Sequence, residues 1–330
     1  MRLMVLILLT GWAMGQTRLE GTLINGSGSD PATADMVQLI KLEQGMQVIG
    51  SADKVKDVFS LNLDGAMPDG RYLLQAVKDG VIYTLAVQTA NDKLELTVYD
   101  TVDQAEIKSH IGSLALYAYD QVIDIGAFYN LDNVSDPAVT LNRTDGTYTF
   151  TTIPGSQGLE ASTRRGQMPL RQQLKKEDGQ ATLTYPLRPG RTQLMVRSRH
   201  AYNPAHENTY RIALPPNQDG MHVLVLPLTL EVTGEGLTFA KDDPKEGVRL
   251  YEFMPNEGQT ELVLKITGQG DPEPRDDKAG TSNAGQQTKE QAHGQAKIDN
   301  TPNQLHPYRW WIICGVISLL GGLVLLSVRR

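Results

Sequence analysis

The segments FSLNL at residues 59–63 and LELTV at residues 94–98 place an apolar side chain at every second position. Successive side chains of a β-strand point to opposite faces of its sheet, so this alternation predicts two strands that each bury one face. Five more strands are predicted at residues 18–24, 36–42, 46–49, 72–77 and 81–88. Seven short strands in about 85 residues, separated by turns rich in Gly, Asn, Asp and Pro, are typical of a β-sandwich. We place this first domain at residues 16–103.

Several short motifs of the first domain resemble the carboxypeptidase regulatory-like domain. They are GTLING at 21–26, VQL at 37–39, Phe59, GRYLLQA at 70–76 and GVIY at 80–83. The resemblance implies a transthyretin-like or Cna-B-like sandwich in a non-catalytic module. The chain departs from the family pattern at residues 53–59, DKVKDVF, because the family has a glycine shortly before the aromatic residue. The wider layout resembles that of uncharacterised, membrane-anchored proteins of the bacterial envelope.

Residues 104–267 continue the β pattern and predict a second β-sandwich domain. The clearest segments are YTF at 148–150, LMV at 194–196, VLVL at 223–226 and LVLKI at 262–266. Pro227 has no backbone N–H to donate, so it suits a bulge or a crossing between sheets. The polar segment PLRQQLKKED at 169–178 predicts an exposed loop or one short helix. The folded part is therefore expected to be all-β, with two tandem sandwiches.

The two ends of the chain predict a membrane protein. Residues 1–15 combine one arginine, a short apolar run and small residues near position 15, the pattern of a cleaved signal peptide. Residues 310–328, WWIICGVISLLGGLVLLSV, carry no charge. A helix of this length rises about 29 Å, which matches the apolar thickness of a bilayer. We predict a type I single-pass protein with a transmembrane helix at 310–328, a cytoplasmic tail at 329–330, and its N-terminal part outside the cytoplasm, periplasmic or extracellular.

Between the second domain and the anchor, residues 268–309 are rich in Gly, Pro, Asn, Gln and charged residues. Such a segment cannot bury enough apolar surface to offset its loss of conformational entropy. We predict a disordered polar stalk with an r.m.s. length of about 35 Å.

Composition and motif spacing argue against nucleic-acid binding, cysteine chemistry and several kinds of catalytic or metal site. The net charge is −7 and the chain has no basic run, so nucleic acid is not expected as a partner. The single cysteine, Cys314, lies in the predicted anchor, which leaves no disulfide and no cysteine metal ligand outside the membrane. Ser156 follows Gly155 directly, so the nucleophile motif G-x-S-x-G is absent. Asp242 and Asp243 lack the spacing of a calcium loop.

We therefore predict no catalytic, cofactor-binding or metal-binding residues. The expected function is that of a non-enzymatic, membrane-anchored envelope protein whose sandwiches bind or organise a protein partner. One alternative is an envelope enzyme with a site around His200 and His206, which could meet across a turn. Another is an accessory subunit of a membrane complex. A group of basic residues in the second domain could attract anionic headgroups or an acidic partner; it consists of Arg164, Arg165, Arg171, Lys175, Lys176, Arg188 and Arg191.

Overall fold

The computed structural model describes residues 17–28, 30–42, 45–63, 70–87, 94–164 and 169–271. All regular secondary structure in these ranges is β-strand, which confirms the predicted all-β fold class. None of the residues in these ranges belongs to a helix with the length and hydrophobicity needed to cross a bilayer. The predicted signal peptide, the transmembrane helix with its tail and nearly all of the predicted stalk lie outside the described residues.

The first seven strands form one sheet, in the order β6-β5-β2-β3-β4-β1-β7. They are β1 Thr17–Asn25, β2 Thr33–Lys41, β3 Gln47–Lys56, β4 Val58–Leu63, β5 Tyr72–Lys78, β6 Val81–Val87 and β7 Glu95–Val98. All seven predicted strands are present. β3 and β4 share only the pair Lys56↔Val58, so the sheet folds over between them. Phe59, Leu61 and Leu96 are buried in one core between the two parts, an arrangement consistent with a β-sandwich.

Asp57 lies two residues before Phe59, within the stretch in which the family resemblance leads us to expect a glycine. Its φ of 59° lies in the left-handed region that glycine favours. The Asp57 carboxylate accepts a hydrogen bond from the Ala32 backbone N–H at 3.0 Å, and its own N–H donates to the Ala32 carbonyl at 2.8 Å. Aspartate adopts this conformation more readily than most residues, and the two bonds to Ala32 hold it, so the sharp turn before Phe59 forms without glycine.

The remaining strands build an eight-stranded sheet and three smaller ones. The strands are β8 Thr101–Val102, β9 Ile107–Tyr119, β10 Val122–Asn133, β11 Thr140–Leu141, β12 Tyr148–Thr151, β13 Gly158–Arg164, β14 Pro169–Gln172, β15 Leu174–Glu177, β16 Gln180–Leu183, β17 Gly190–Ala201, β18 Asn208–Ala213, β19 Met221–Leu226, β20 Leu230–Thr233, β21 Leu237–Asp243, β22 Val248–Phe253 and β23 Glu261–Gly268. The large sheet has the order β14-β13-β17-β10-β9-β19-β22-β21. The small sheets are β12-β16-β15, β18-β23-β20 and the pair β8-β11.

Both three-stranded sheets pack on the same face of the large sheet. Leu114 on β9, Leu194 on β17 and Val223 on β19 share one buried core with Phe150 on β12 and Leu264 on β23. Burial of these side chains, each worth roughly 1.5–3 kcal/mol, holds the layers together.

The chain crosses between sheets at Pro227, as the sequence predicts. β19 belongs to the eight-stranded sheet, whereas β20, which begins three residues after Pro227, belongs to a three-stranded sheet.

The prediction of a loop or a short helix at residues 169–178 is wrong, because this segment forms β14 and β15. Asp178 and Gly179 have φ of 44° and 76°, and they turn β15 back onto β16. Both strands lie at sheet edges with mostly exposed side chains, so their sequence is polar and carries no alternating pattern.

The Gln218 side chain supplies the hydrogen bonds that β9 lacks next to its bulge. The extra residue Gly112 makes a bulge in β9, and β19 pairs with β9 only from Ser113 onward. The Gln218 carboxamide accepts a hydrogen bond from the Ile111 N–H at 2.7 Å and donates one to the Ile111 carbonyl at 2.8 Å. A buried side chain thus replaces the backbone partner of Ile111.

Replacing Gln218 by leucine should lower the free energy of unfolding by about 2–4 kcal/mol, because both buried backbone groups of Ile111 would lose their partner. Urea denaturation measures this change. The control, Gln180→Ala, removes an exposed amide and should stay within about 0.5 kcal/mol of the parent. Equal effects of the two substitutions would show that Gln218 does not hold the sheet.

Candidate interaction surface

The eight-stranded sheet has a second face, which points away from the core that it forms with the two three-stranded sheets. Ala115 on β9 alternates with the core residues Leu114 and Leu116, so it lies on this second face. Cross-strand pairing places Gly126 on β10 and Leu224 on β19 beside it. We call this surface, together with the residues in the same phase on the other strands, the outer face.

A buried carboxylate with two arginines lies on the outer face, near the β9–β10 hairpin. The Asp124 side chain is only 7% exposed. Arg199 donates from Nε to Asp124 Oδ1 at 2.9 Å, and Arg197 donates from its guanidinium to Oδ2. The Tyr119 hydroxyl donates to the same Oδ2 at 3.2 Å, and the Arg199 guanidinium carbon lies 5.6 Å from the centre of the Tyr119 ring.

The cluster keeps Asp124 ionised. Burial alone raises the pKa of this carboxyl, but the hydrogen bonds and positive charges of Arg199 and Arg197 outweigh burial, so its pKa lies below the ordinary value. Burial, followed by the charge of Asp124, raises the pKa of the Tyr119 hydroxyl, which therefore stays protonated at neutral pH. Arg197 and Arg199 remain 34% and 48% exposed, so part of each guanidinium faces away from Asp124. The arrangement holds two partly exposed cationic side chains in place on this face of the sheet.

The structure gathers only some of the basic residues that the sequence singled out, since Arg164, Arg171 and Arg191 lie in the same phase of β13, β14 and β17. Arg171 is paired with Glu160 at 3.1 Å and Arg191 with Asp132 at 2.8 Å, both on the outer face. Two others lie elsewhere, because Lys175 belongs to the small sheet with β16 and Arg188 contacts the first sheet. Arg165 lies outside the described residues.

His200 and His206 occupy different environments. His200 is buried on β17, where Nε2 lies 2.8 Å from the Ser198 hydroxyl. Burial lowers the pKa of His200, while the Asp124 charge and the Pro154 carbonyl oppose that shift. His206 is exposed in the turn between β17 and β18. The structure therefore does not bring the two imidazoles into one solvent-accessible site.

The other candidate residues also have structural partners. Ser156 donates from its hydroxyl to the Gly158 carbonyl at 3.0 Å, beside a shallow depression of about 300 Å³ that Lys176 and Gln180 line on the other side. Asp242 is paired with Arg249 at 2.8 Å. Among the described residues, no group of three or more His, Cys, Asp or Glu side chains could hold a metal ion.

A polar junction, which the sequence did not indicate, joins the first sheet to the second region. The Tyr83 hydroxyl lies 2.9 Å from the Thr140 hydroxyl, and Arg188 donates to the Ile82 carbonyl at 2.5 Å. Lys78, almost fully buried, forms an ion pair with Asp100. Lys78 ends β5, and Ile82 and Tyr83 lie on β6. Their partners are Asp100 just before β8, Thr140 at the start of β11 and Arg188 just before β17. Strand β8, within the predicted first domain, pairs with β11 of the second region.

The junction and the end of the described chain lie at opposite ends of β9 and β10. Asn133, the last residue of β10, donates to the carbonyls of Val139 and Leu187, next to the junction. Asp271 instead bridges Tyr119 at the other end of β9, and its N–H donates to the Ala118 carbonyl at 3.0 Å. β9 has 13 residues. At about 3.3 Å per residue it separates these two points by roughly 40 Å.

No protein-family model matches this chain. No curated protein matches it either. Among solved structures, it is similar to a marsupial T cell receptor, with 10% identity, coverage of 78% of this chain and 93% of that one, and a TM-score of 0.14. It is also similar to invasin, described as a bacterial integrin-binding protein, with 10% identity, coverage of 78% of this chain and 55% of that one, and a TM-score of 0.13. The chain thus spans about half the length of the invasin structure. Similarity this low assigns neither a family nor a function.

Replacing Asp124 by asparagine should lower the free energy of unfolding by about 2–3 kcal/mol at pH 7, because two arginines would lose a buried anionic partner. Since the pKa of Asp124 is lower in the folded state than in the unfolded state, its contribution is complete well above an unfolded pKa of about 3.9 and is lost as the pH falls through the folded pKa. Urea denaturation between pH 7 and pH 2 should therefore show the two proteins converging in acid. The control Asp132→Asn breaks a more exposed pair and should cost at most about 1 kcal/mol. A difference between Asp124→Asn and the parent that does not change with pH would contradict this account.

The junction should show coupling between Tyr83 and Thr140. A double-mutant cycle with Tyr83→Phe and Thr140→Val should give an interaction free energy of about 0.5–1.5 kcal/mol, the value of a buried hydrogen bond between neutral groups. Strictly additive effects in thermal or urea unfolding would show that the two hydroxyls do not interact across the junction.

Proposed function

We propose that this chain is a non-enzymatic, single-pass membrane-anchored protein of a cell envelope, whose β-sandwiches serve as binding and scaffolding modules outside the cytoplasm. Residues 16–103 form a carboxypeptidase regulatory-like module of the transthyretin or Cna-B type, and residues 104–267 form the second module. A signal peptide at 1–15 directs export. Residues 268–309 form a polar stalk, residues 310–328 cross the membrane, and residues 329–330 remain in the cytoplasm.

The placement of the junction and of the chain exit supports this proposal best. The described chain ends at Asp271, beside the β9–β10 hairpin, and the first sheet attaches at the opposite end of the same strands. The first sheet is therefore held at the end of β9 and β10 that is remote from the first residues of the proposed stalk. Such an arrangement suits a first module that contacts partners.

The outer face supports a binding role for the second module. Its arginines are held in place by a buried carboxylate on long, paired strands rather than on loops, so little side-chain entropy would be lost when a partner contacts them. An accessory subunit of a membrane complex would use the same surface. An enzyme centred on His200 and His206 gains no support, since one imidazole is buried and the other is exposed in a turn.

The proposed topology can be tested by labelling single cysteines in intact cells. In a Cys314→Ser background, Thr84→Cys on the exposed side of β6 should react with a membrane-impermeant maleimide before lysis. A cysteine added after Arg330 should react only after lysis, which provides the matched control. Protection of Thr84→Cys until lysis would place the first sheet in the cytoplasm and overturn the proposed function.

A further inference from the structure

We propose that strand β6, at the edge of the first sheet, pairs with β6 of a second copy of this chain, antiparallel and about a two-fold axis at Leu85. This inference rests on the proposed binding function of the first module and names its partner. It follows from three features of β6: unused backbone groups on its outer side, a sequence without the residues that block strand pairing, and complementarity of that sequence with itself.

The strand β6 pairs on one side only among the described strands, because it ends the strand order of the first sheet. A two-residue turn at 79–80, with positive φ at both residues, joins it to β5. Such a turn closes on a hydrogen-bonded pair, here Lys78 and Val81, so every second residue from Val81 onward bonds to β5. The residues between them point their backbone N–H and C=O groups away from the sheet, and they are Ile82, Thr84 and Ala86.

This edge is occupied at Ile82 and open beyond it. Arg188 donates to the Ile82 carbonyl at 2.5 Å, which confirms that this group points outward. Thr84 and Ala86 are exposed, and no backbone hydrogen bond among the described residues engages either of them on the outer side. Leu85 has the core phase of the strand but is only partly buried, as expected of a core side chain at an open edge.

The sequence of β6 also lacks the features with which proteins protect a sheet edge. Charged side chains, proline and bulges keep exposed strands from pairing with other chains. Among the described end strands longer than four residues, β18 carries Arg211, and β21 has a bulge next to Lys241. β6 has no charged residue, no proline and an unbroken register with β5. It is therefore the described end strand most suited to pair with another chain.

One antiparallel register fits two copies of β6. With Leu85 opposite Leu85 of the second copy, Thr84 lies opposite Ala86, and these two residues exchange a pair of backbone hydrogen bonds at each of two equivalent sites. This register leaves the Ile82 carbonyl to Arg188. A register centred on Thr84 would instead need that carbonyl in both copies, so the first register is favoured.

The apolar side of the pairing also favours a second copy. The two Leu85 residues form a non-hydrogen-bonded pair, in which side chains of neighbouring strands lie closest. Tyr83 of each copy lies opposite Val87 of the other, so the contact extends the core of the first module across the edge. No like charges meet, because β6 is uncharged. Pairing at an edge continues the natural twist of the sheet, so this register does not require a flat surface.

Antiparallel pairing is compatible with anchors in one membrane. The first residues of the two β6 strands would lie about 26 Å apart along the strands. Asp271 is separated from the junction by roughly 40 Å in each copy, so the two Asp271 residues would be on the order of 110 Å apart at most. Each proposed stalk reaches up to about 125 Å when extended. Attachment to one membrane also raises the effective concentration of this short contact.

Disulfide trapping of the full chain in its membrane, in a Cys314→Ser background, tests the pairing. Leu85→Cys should form a linked dimer under mild oxidation, because the Cα atoms of a non-hydrogen-bonded pair lie about 4.5 Å apart, within reach of a disulfide. The control Ile82→Cys lies on the same strand at a more exposed position, 48% exposed in the parent. Its two copies would lie about 20 Å apart, so it should give no dimer.

Charges placed at the paired positions provide the specific readout. In the Leu85→Cys chain, Thr84→Lys/Ala86→Lys should lower the dimer yield about tenfold, because like charges would lie directly opposite each other at two sites. The matched variant Thr84→Lys/Ala86→Glu changes the same two exposed residues but places opposite charges there, so it should keep the parent yield. Circular dichroism verifies that each variant remains folded.

Three results would overturn this proposal: no dimer from Leu85→Cys, equal yields from Leu85→Cys and Ile82→Cys, or equal yields from the two charged variants. Association through the predicted anchor alone would give one of these results. A disulfide from Leu85→Cys to a different protein would reject the second copy but keep the proposed binding function. That function fails separately if the labelling of Thr84→Cys reports a cytoplasmic location.

Discussion

The two-residue alternation of β9, β10 and β17 is the constraint on which the rest of this structure depends. One phase of each strand fills the core, as Ile123 and Ile125 do, and the other phase places Asp124 among Arg197 and Arg199 on the outer face. A shift of one residue in register would exchange the two faces, burying charge and exposing the core. The bulge at β9 interrupts this alternation once, and Gln218 supplies the hydrogen bonds needed there. Packing and the candidate interaction surface are thus two consequences of one register.

The same strands determine how the modules are placed. Because β9 and β10 are long and paired on both sides, the junction with the first sheet and Asp271 are held apart at their two ends. The junction itself is polar, with a nearly buried lysine and a tyrosine hydroxyl bonded across it. Each of these groups requires its partner, since a buried polar group without one costs about 1–3 kcal/mol. This requirement favours one orientation of the first sheet.

The sequence predicts the strands of this protein better than it predicts the surface. Alternation is visible in FSLNL at 59–63, and Pro227 marks the sheet crossing, because both signals are local. Edge strands such as β14 and β15 escape detection, since exposed side chains leave no apolar pattern. The cluster around Asp124 could not be found in this way, because its arginines lie 73 and 75 residues further along the chain. The sequence does carry a partial signal for this cluster, because both arginines occupy β17 positions that alternate with buried ones.

If β9 and β10 hold the first sheet and Asp271 at opposite ends of one rigid unit, the distance between the two ends is fixed. Pulsed electron paramagnetic resonance between spin labels at Ala86 on β6 and Gln121 in the β9–β10 hairpin, in the full Cys314→Ser chain, tests it directly. A rigid unit should give one narrow distance distribution centred at or beyond about 40 Å, the length of β9. A broad distribution, or a mean distance well below this length, would contradict it.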